Sequence, residues 1–389
     1  MGRCKILLAA ILAICRCASC SAADDSVPTL AQQLSNLPSD SSVLEIREGT
    51  YTIDTTLVVS KPAVTIRGAG PGKTVLMRAS NFDGVLVRMD GESSTLSNLT
   101  LDGNGTRTVL SLTGTGVTAD TIEVKNFTHI GITVPASGCR ITKCLVSGLG
   151  TADAPSMGIW HDAGKIPTKS TITIDHSTIQ NNGMCGIYCT GGKVTIANNT
   201  IAGNHVITDV GGGQIDIGNA FTTNTVAIIR DNTIADGGSL KAGGIEAGGG
   251  SFTVTGNTIR NHGSGGIGIG HNVTEATIMR NTISNCGRNL TDRNRPQNRS
   301  GIYVGYGAKN VLISGNRCFD DQPSKTQTWG IIMAGPPARP DPRYAPRAAE
   351  HVVIRQNDLR GNVHPEGLLD ESRARDRSVA ENIPPQANR

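Results

Sequence analysis

The chain predicts an all-β solenoid in which short strands stack coil upon coil, and three observations carry that expectation. The first is a recurring unit: an aliphatic residue, two free positions, Asn, one free position and another aliphatic residue. It occurs at Ile196, Asn199 and Ile201, at Ile229, Asn232 and Ile234, at Val254, Asn257 and Ile259, and at Ile278, Asn281 and Ile283. Ile313 with Asn316 and Ile354 with Asn357 continue it, and weaker copies put Cys144 and Ser177 in the Asn position. The second is a Gly-Ile signature after each unit: Gly158-Ile159, Gly186-Ile187, Gly244-Ile245, Gly266-Ile267, Gly301-Ile302 and Gly330-Ile331, with Gln214-Ile215 as the one variant. The third is composition. Gly (48) and Pro (17) make up about 17 % of 389 residues, against a usual background near 12 %. Long helices are therefore excluded.

The chain is 37 % hydrophobic with only 3 % aromatic and 17 % charged residues, so its apolar mass is Ile, Val, Leu and Ala. Such a composition excludes disorder over the whole length. The net charge of +4 is small, and the basic residues are not interleaved with aromatics, which argues against nucleic-acid binding. A repeat period of about 22 to 41 residues fits coils of one cross-section joined by loops of variable length. One elongated unit then replaces the two or three compact domains usual at this length.

Taken in order, residues 1–23 read as a leader: Arg3 and Lys5, an apolar run from Ile6 to Ile14, and small residues Ser21-Ala22-Ala23 before Asp24. Cleavage near Ala23 and export, periplasmic or extracellular, are expected, and the run is too short to span a membrane. Removal of the leader leaves Cys139, Cys144, Cys185, Cys189, Cys286 and Cys318, whose spacing matches no zinc pattern. They fall at inward or bend positions, as small buried apolar residues. Residues 24–42 form an N-terminal cap, with a helix over Pro28 to Leu37 that puts Leu30, Leu34 and Leu37 on one face. Coils run from 43 to 362, opened by Glu48-Gly49-Thr50-Tyr51 and Val64-Thr65-Ile66-Arg67-Gly68. Residues 363–389 turn polar, rich in Arg, Glu and Pro, and are expected to be a flexible tail. The last coil then needs cover, from Leu368-Leu369 or a partner subunit.

The opening coil, the capping helix and the recurring Asn and Gly-Ile signatures together resemble the right-handed parallel β-helix, or pectin-lyase-like, superfamily from Pro28 to Asn362. The resemblance implies a right-handed parallel solenoid with an N-terminal capping helix. Equivalent positions would form columns about 4.8 Å apart. Ile141, Ile174, Ile196, Ile229, Val254, Ile278, Ile313 and Ile354 make an inward apolar stack. The Asn residues make a structural ladder at a bend, their amides satisfying one another and the turn backbone.

The residue after each Gly-Ile signature gives an outward column: Thr133, Trp160, Tyr188, Asp216, Glu246, Gly268, Tyr303 and Ile332. Long connections at Ala202 to Gly213, Ser284 to Ser300, His161 to Thr171 and Ala334 to His351 flank these strands, so the column is the floor of a groove. Aromatic faces pack on sugar rings and carboxyls transfer protons, so the row reads as a saccharide site. Asp216 and Glu246 are the catalytic candidates, and Trp160, Tyr188, Tyr303, His271, Asn219, Asp209 and His205 the substrate-binding ones. Gly218, Gly268 and Gly270 keep the floor open. Like charges one coil apart should raise one carboxyl's pKa, leaving one acid and one base.

His161 falls at an inward position, and His262 shares a bend column with Asn182 and Asn204 as a structural residue. Arg288, Arg293, Arg295 and Arg299 make a basic loop, either solvated or attracting an acidic polymer. No subfamily pattern of the superfamily is complete. Polygalacturonase-like enzymes would carry Asn-Thr-Asp, Asp-Asp, Gly-His-Gly and Arg-Ile-Lys, of which only Gly270-His271-Asn272 approximates one. Ile174-Asp175-His176 is similar to a pectate lyase fragment, without the later arginine motif. The resemblance therefore implies an exported protein that acts on a polysaccharide or oligosaccharide. Glycoside hydrolysis through Asp216 and Glu246 comes first, and lyase or epimerase chemistry second. A non-catalytic saccharide-binding or accessory β-helix is the alternative. No metal site or cofactor is expected, except calcium if the protein is a lyase. A monomer or small homo-oligomer is expected, with no nucleic-acid partner.

Overall fold

Coils of three strands, each pairing in parallel with its counterparts on neighbouring coils, succeed one another and join 33 strands among the described residues by hydrogen bonding. The computed structural model describes residues 12–14, 29–38, 41–162, 170–207, 212–218, 224–270, 272–290, 299–305, 307–335, 349–372 and 375–383. A representative coil consists of Thr225–Arg230, Thr233–Ala235 and Ala242–Gly248, and the next of Gly250–Thr255, Thr258–Arg260 and Ile267–Ile269. The first two strands of a coil are separated by a bend whose leading residue is left-handed: Lys143, His176, Asn198, Asp231, Arg280 and Gln356 all have φ between 50° and 57°. His176 of the Ile-Asp-His fragment is therefore a bend residue.

The inward stack is formed as expected. Ile141, Ile174, Ile196, Ile229, Val254, Ile278, Ile313 and Ile354 are paired successively and each is fully buried. Burying each such side chain contributes about 1.5–3 kcal/mol. Beside the bend, the amide of Asn199 donates to Asn232 Oδ1 (3.0 Å), and Asn232 to Asn257 (2.9 Å), Asn257 to Asn281 (3.0 Å), Asn281 to Asn316 (2.9 Å) and Asn316 to Asn357 (2.9 Å). Ser177 and Cys144 extend the ladder: Ser177 N donates to Asn199 Oδ1, and Cys144 N to Ser177 Oγ. All six cysteines after residue 23 are buried free thiols, and burial pushes Cys139 up to about 11 and Cys286 up to about 12.

The N-terminal helix spans Leu30–Asn36 and begins in a capping box, Thr29 accepting from Gln32 N while Gln32 Oε1 accepts from Thr29 N. Leu30 and Leu34 face the open end of the core beside Ile46, Leu57 and Ile66. Of the segment read as a leader, only residues 12–14 are described; they pair with Leu44–Ile46. No helix among the described residues is long and apolar enough to cross a membrane.

The C-terminus corrects the sequence reading. Of residues 363–389, expected as a tail, 363–372 and 375–383 are described and carry two strands: Leu368–Asp370 pairs with the strand at Trp329–Met333, and Arg375–Ala380 with that at Glu350–Arg355. Asn357 donates to Asn382 Oδ1 at 2.8 Å, so the ladder gains one more rung. Gly367-Leu368 stands in the Gly-Ile position and Val379 with Asn382 in the recurring unit. Asp370 stands in register with the buried Met333 and Arg377 with the buried Val352, and the two form an ion pair, so charged residues at inward positions hide that pattern.

Candidate active site

The groove sheet consists of Met157–Asp162, Ile187–Thr190, Gly212–Gly218, Ala242–Gly248, Ile267–Ile269, Ser300–Val304 and Trp329–Met333. The isoleucines of its signatures, Ile159, Ile187, Ile215, Ile245, Ile267, Ile302 and Ile331, are fully buried. By strand alternation the residue after each points outward. Pairing makes Thr133, Trp160, Tyr188, Asp216, Glu246, Gly268, Tyr303 and Ile332 direct neighbours on successive coils. The structure thus brings Trp160, Tyr188, Asp216, Glu246 and Tyr303 into one row, each partly exposed.

Asp216 and Glu246 stand side by side, on strands whose neighbouring positions are glycines. A Cβ on Gly268 would lie 2.6 Å from Glu246 Oε2, one on Gly243 3.1 Å from Oε1, and one on Gly212 3.5 Å from Asp216 Oδ2. The carboxyls therefore occupy space that side chains at these positions would fill. Although both residues reach the groove, their carboxyls are packed among protein atoms. Burial pushes Asp216 up to about 7. Burial and, second, the charge of Asp216 push Glu246 up to about 7. Like-charge repulsion, expected as the cause, is thus secondary to desolvation, and among the described residues no hydrogen bond to either carboxylate offsets it.

His205 is fully buried. Its Nε2 donates to the Gly213 carbonyl at 3.0 Å, and burial lowers its pKa. A Cβ on Gly212 would lie 3.3 Å from its Cε1 and 3.5 Å from Asp216 Oδ2, so the ring packs near the Asp216 carboxyl with no solvent exposure of its own. His161 is likewise buried, with Nδ1 2.6 Å from the Val134 carbonyl. His262, pushed down to about 4 by burial, places Nε2 3.2 Å from the Ile234 carbonyl, the kind of bond that Asn204 makes to Ile179. Asp209, Asn219 and His271 lie outside the described residues, as do Arg293 and Arg295. Arg288 and Arg299 spend an Nη2 on loop carbonyls, those of Gly237 and Leu290. Among the described residues no group of three or more His, Cys, Asp or Glu could hold a metal ion.

Three features escape sequence reasoning. Trp160 Nε1 is buried without a partner among the described residues, a donor beside the row. Gly212 and Gly243 border the carboxyls; a glycine count at fixed distance from the acids would have found them. Gln214, which breaks the Gly-Ile signature, joins a second polar ladder. Its Oε1 accepts from Asn204 N (3.1 Å) and Nδ2 (2.9 Å), and its Nε2 donates to Asn204 O at 3.1 Å.

Residues 66–226 and 166–324 match the family described as the right-handed β-helix region. No curated relative matches the sequence. Among solved structures, the A-module of the mannuronan C-5 epimerase AlgE4 of Azotobacter vinelandii superposes with a TM-score of 0.62 at 15 % identity, covering 87 % of this chain and 91 % of that one. The Dettilon tailspike protein gives 0.59 at 15 % identity, covering 88 % of this chain and 63 % of its own, so the chain spans less than two thirds of it. The catalytic unit of the GH87 α-1,3-glucanase of Streptomyces thermodiastaticus gives 0.54 at 16 % identity, covering 88 % and 64 %. At such identities the likeness is one of fold.

Proposed function

The chain belongs to the right-handed β-helix family, and from that premise we propose that it is a glycoside hydrolase in which Asp216 and Glu246 cleave a neutral polysaccharide lying along the groove. The observation that carries the reading is two adjacent carboxyls, both raised to about 7, in a row with Trp160, Tyr188 and Tyr303. Such a pair holds one proton between its members near neutral pH. Glu246, which bears the charge of Asp216 in addition to its own burial, keeps that proton and gives it to the leaving oxygen. Asp216 ionises first and acts on the anomeric carbon. Neighbouring coils about 4.8 Å apart suit the short carboxyl separation of retaining enzymes, about 5–5.5 Å, so attack forms a glycosyl–Asp216 ester that water opens with Glu246 as base.

Elimination or epimerisation of a uronic acid asks for a cation against the sugar carboxylate. The row from Thr133 to Ile332 has no Lys or Arg, and two carboxyls would repel such a sugar. An exported location, in keeping with the leader-like residues 1–23, would give access to polymers of this kind.

The test is release of new reducing ends from dextran, laminarin, galactomannan and α-1,3-glucan, with alginate and polygalacturonate as acidic controls. Asp216→Asn and Glu246→Gln should each lower turnover by about 10³-fold or more, and the wild-type pH profile should be a narrow bell near neutrality. A carboxyl whose folded pKa is raised favours the folded state below its unfolded pKa and loses that contribution as pH climbs through about 7. Both variants should therefore melt no lower than wild type at pH 8, with any advantage vanishing near pH 4. Wild-type turnover in either variant removes the assignment, and binding without cleavage of any polymer favours a non-catalytic saccharide receptor.

A further inference from the structure

We propose that the protein carries a second saccharide site, away from the groove, which takes a carboxylate-bearing sugar, a uronate of an acidic glycan. The site is a cavity of about 360 Å3 lined by Thr118, Asp120, Arg140, Thr142, Lys143 and His176, within the range usual for small-ligand pockets, about 300–1,000 Å3. Three successive coils build it. Thr118 pairs with Arg140 and Asp120 with Thr142, and Thr142 in turn pairs with Asp175. Lys143 and His176 are the left-handed bend residues that follow Thr142 and Asp175. None of these residues lies in the groove column, so the proposal does not depend on the hydrolase reading.

The charges in the cavity are of two kinds. Arg140 Nη2 lies 2.6 Å from Oδ2 of the buried Asp175. Burial acts to raise the Asp175 carboxyl, but bonds from Thr142 and Arg140 outweigh it and hold the group below its usual range. Asp175 thus neutralises Arg140 and fixes its guanidinium on the cavity wall, with His176 Nδ1 3.6 Å from the other oxygen, Oδ1. Two charges are left for a ligand. Lys143 makes no ion pair among the described residues, and Asp120 accepts only from its neighbour Thr121, Oγ1 to Oδ1 at 2.9 Å. A cation beside a carboxylate acceptor matches a ligand that carries both an anionic group and hydroxyls. Its carboxylate accepts from Lys143 and from the remaining N–H groups of Arg140, while its ring hydroxyls donate to Asp120 and exchange bonds with Thr118. A phosphate would set more negative charge against Asp120 and offer it little to accept. A neutral sugar would leave Lys143 unused, and no Trp, Tyr or Phe lines the cavity to pack on its apolar face.

The experiment is calorimetric titration of the full chain with trigalacturonate and trimannuronate, with maltotriose and inorganic phosphate in parallel arms. Expected is binding of at least one acidic trimer, about ten-fold or more tighter than either control. Lys143→Gln should weaken that binding about ten-fold, the loss of one charge-assisted bond. The variant should fold, because Gln356 already holds the same bend position at φ 56°, against 54° for Lys143. Lys193→Gln removes the same charge from an exposed site on the same sheet, outside the cavity, and should bind as wild type. Asp216→Asn should also bind as wild type, and Lys143→Gln should release reducing ends from the neutral panel as wild type does. Equal weakening in Lys193→Gln marks diffuse attraction to a basic surface and overturns the proposal. Binding unchanged in Lys143→Gln, or lost in Asp216→Asn, overturns it as well. Phosphate or maltotriose bound as tightly as the acidic trimers overturns the uronate. Absence of binding by both trimers at millimolar concentration removes the second site and leaves the hydrolase reading standing.

Discussion

Two polar ladders run along this solenoid, one on each side of the short middle strands, and only one of them is uniform. The first is Asn after Asn from Asn199 to Asn382, each amide bonded to the next. The second begins the same way, with Asn182 N donating to Asn204 Oδ1 at 3.1 Å. It then meets Gly237, whose missing side chain is replaced by Gln214 reaching in from the groove strand, and continues with His262. One irregular rung lies on the strand that carries Asp216, and a second stands farther along, where Gln327 Oε1 accepts from Cys286 N and its Nε2 donates to Asn362 Oδ1. The first ladder lies beside a bend of constant length, whereas the second opens onto connections of variable length, where the chain fills each rung with whatever side chain reaches it.

The uniform ladder should be the most costly to break. Asn257→Ala would take from Asn232 N and the Ile229 carbonyl their bonds to the side chain, and would cost one bond each to the Asn232 amide, which keeps Ile196 O, and to Asn281 Oδ1, which keeps Asn257 N. Unsatisfied buried groups cost about 1–3 kcal/mol each, and partial relaxation should leave a loss on the order of 4 kcal/mol. Denaturant unfolding would measure it. A loss under about 1 kcal/mol would show that the ladder is ornamental, since even a single unsatisfied group costs that much.

The irregular coils should respond in the opposite way, losing activity before stability. In Gly268→Ala the new methyl would meet Glu246 Oε2 at 2.6 Å and nothing else so close. The far end of a flexible side chain yields, so the strand persists and the carboxyl moves. We expect a fall of about 100-fold in kcat/KM, about 2.7 kcal/mol of transition-state stabilisation, with a melting temperature within a few degrees of wild type. Unchanged kinetics would mean that the position of Glu246 is not limiting.

How much of this was legible follows from the same contrast. The Ile stack, the Asn ladder and the register of the groove column can all be read from spacing, because every coil obeys one rule and one slip would turn each side chain to the opposite face. The burial of His205 could not be read that way: it sits in a loop whose length varies, so no register applies. The last coils were legible in Gly367-Leu368 and Asn382 but obscured because Asp370 and Arg377 take positions that are apolar in the coils before. The pKa of the acids depends on how tightly glycine-lined backbone closes around them, which no one-dimensional pattern contains.

The smallest expected effect is the most discriminating for the comparison of ladders. If Gln214 stands in for the side chain that Gly237 lacks, the two positions are coupled and neither can be normalised alone. Gln214→Gly restores the Gly-Ile signature but leaves Asn204 N without its acceptor, a loss of about 2 kcal/mol. Gly237→Asn alone should also destabilise, because its Cβ would stand 3.0 Å from His262 Nδ1 and 3.4 Å from Gln214 Nε2. Gly237 is not among the left-handed residues, so its backbone accepts a side chain. In the double variant the Asn amide takes the space that Gln214 vacates, rebuilding the rung as Asn199 and Asn232 build theirs. The double variant should be more stable than the sum of the single losses predicts by about 1 kcal/mol. Strict additivity would mean that Gln214 has a different reason to be there, and the adjacent carboxyls would be the next place to look for it.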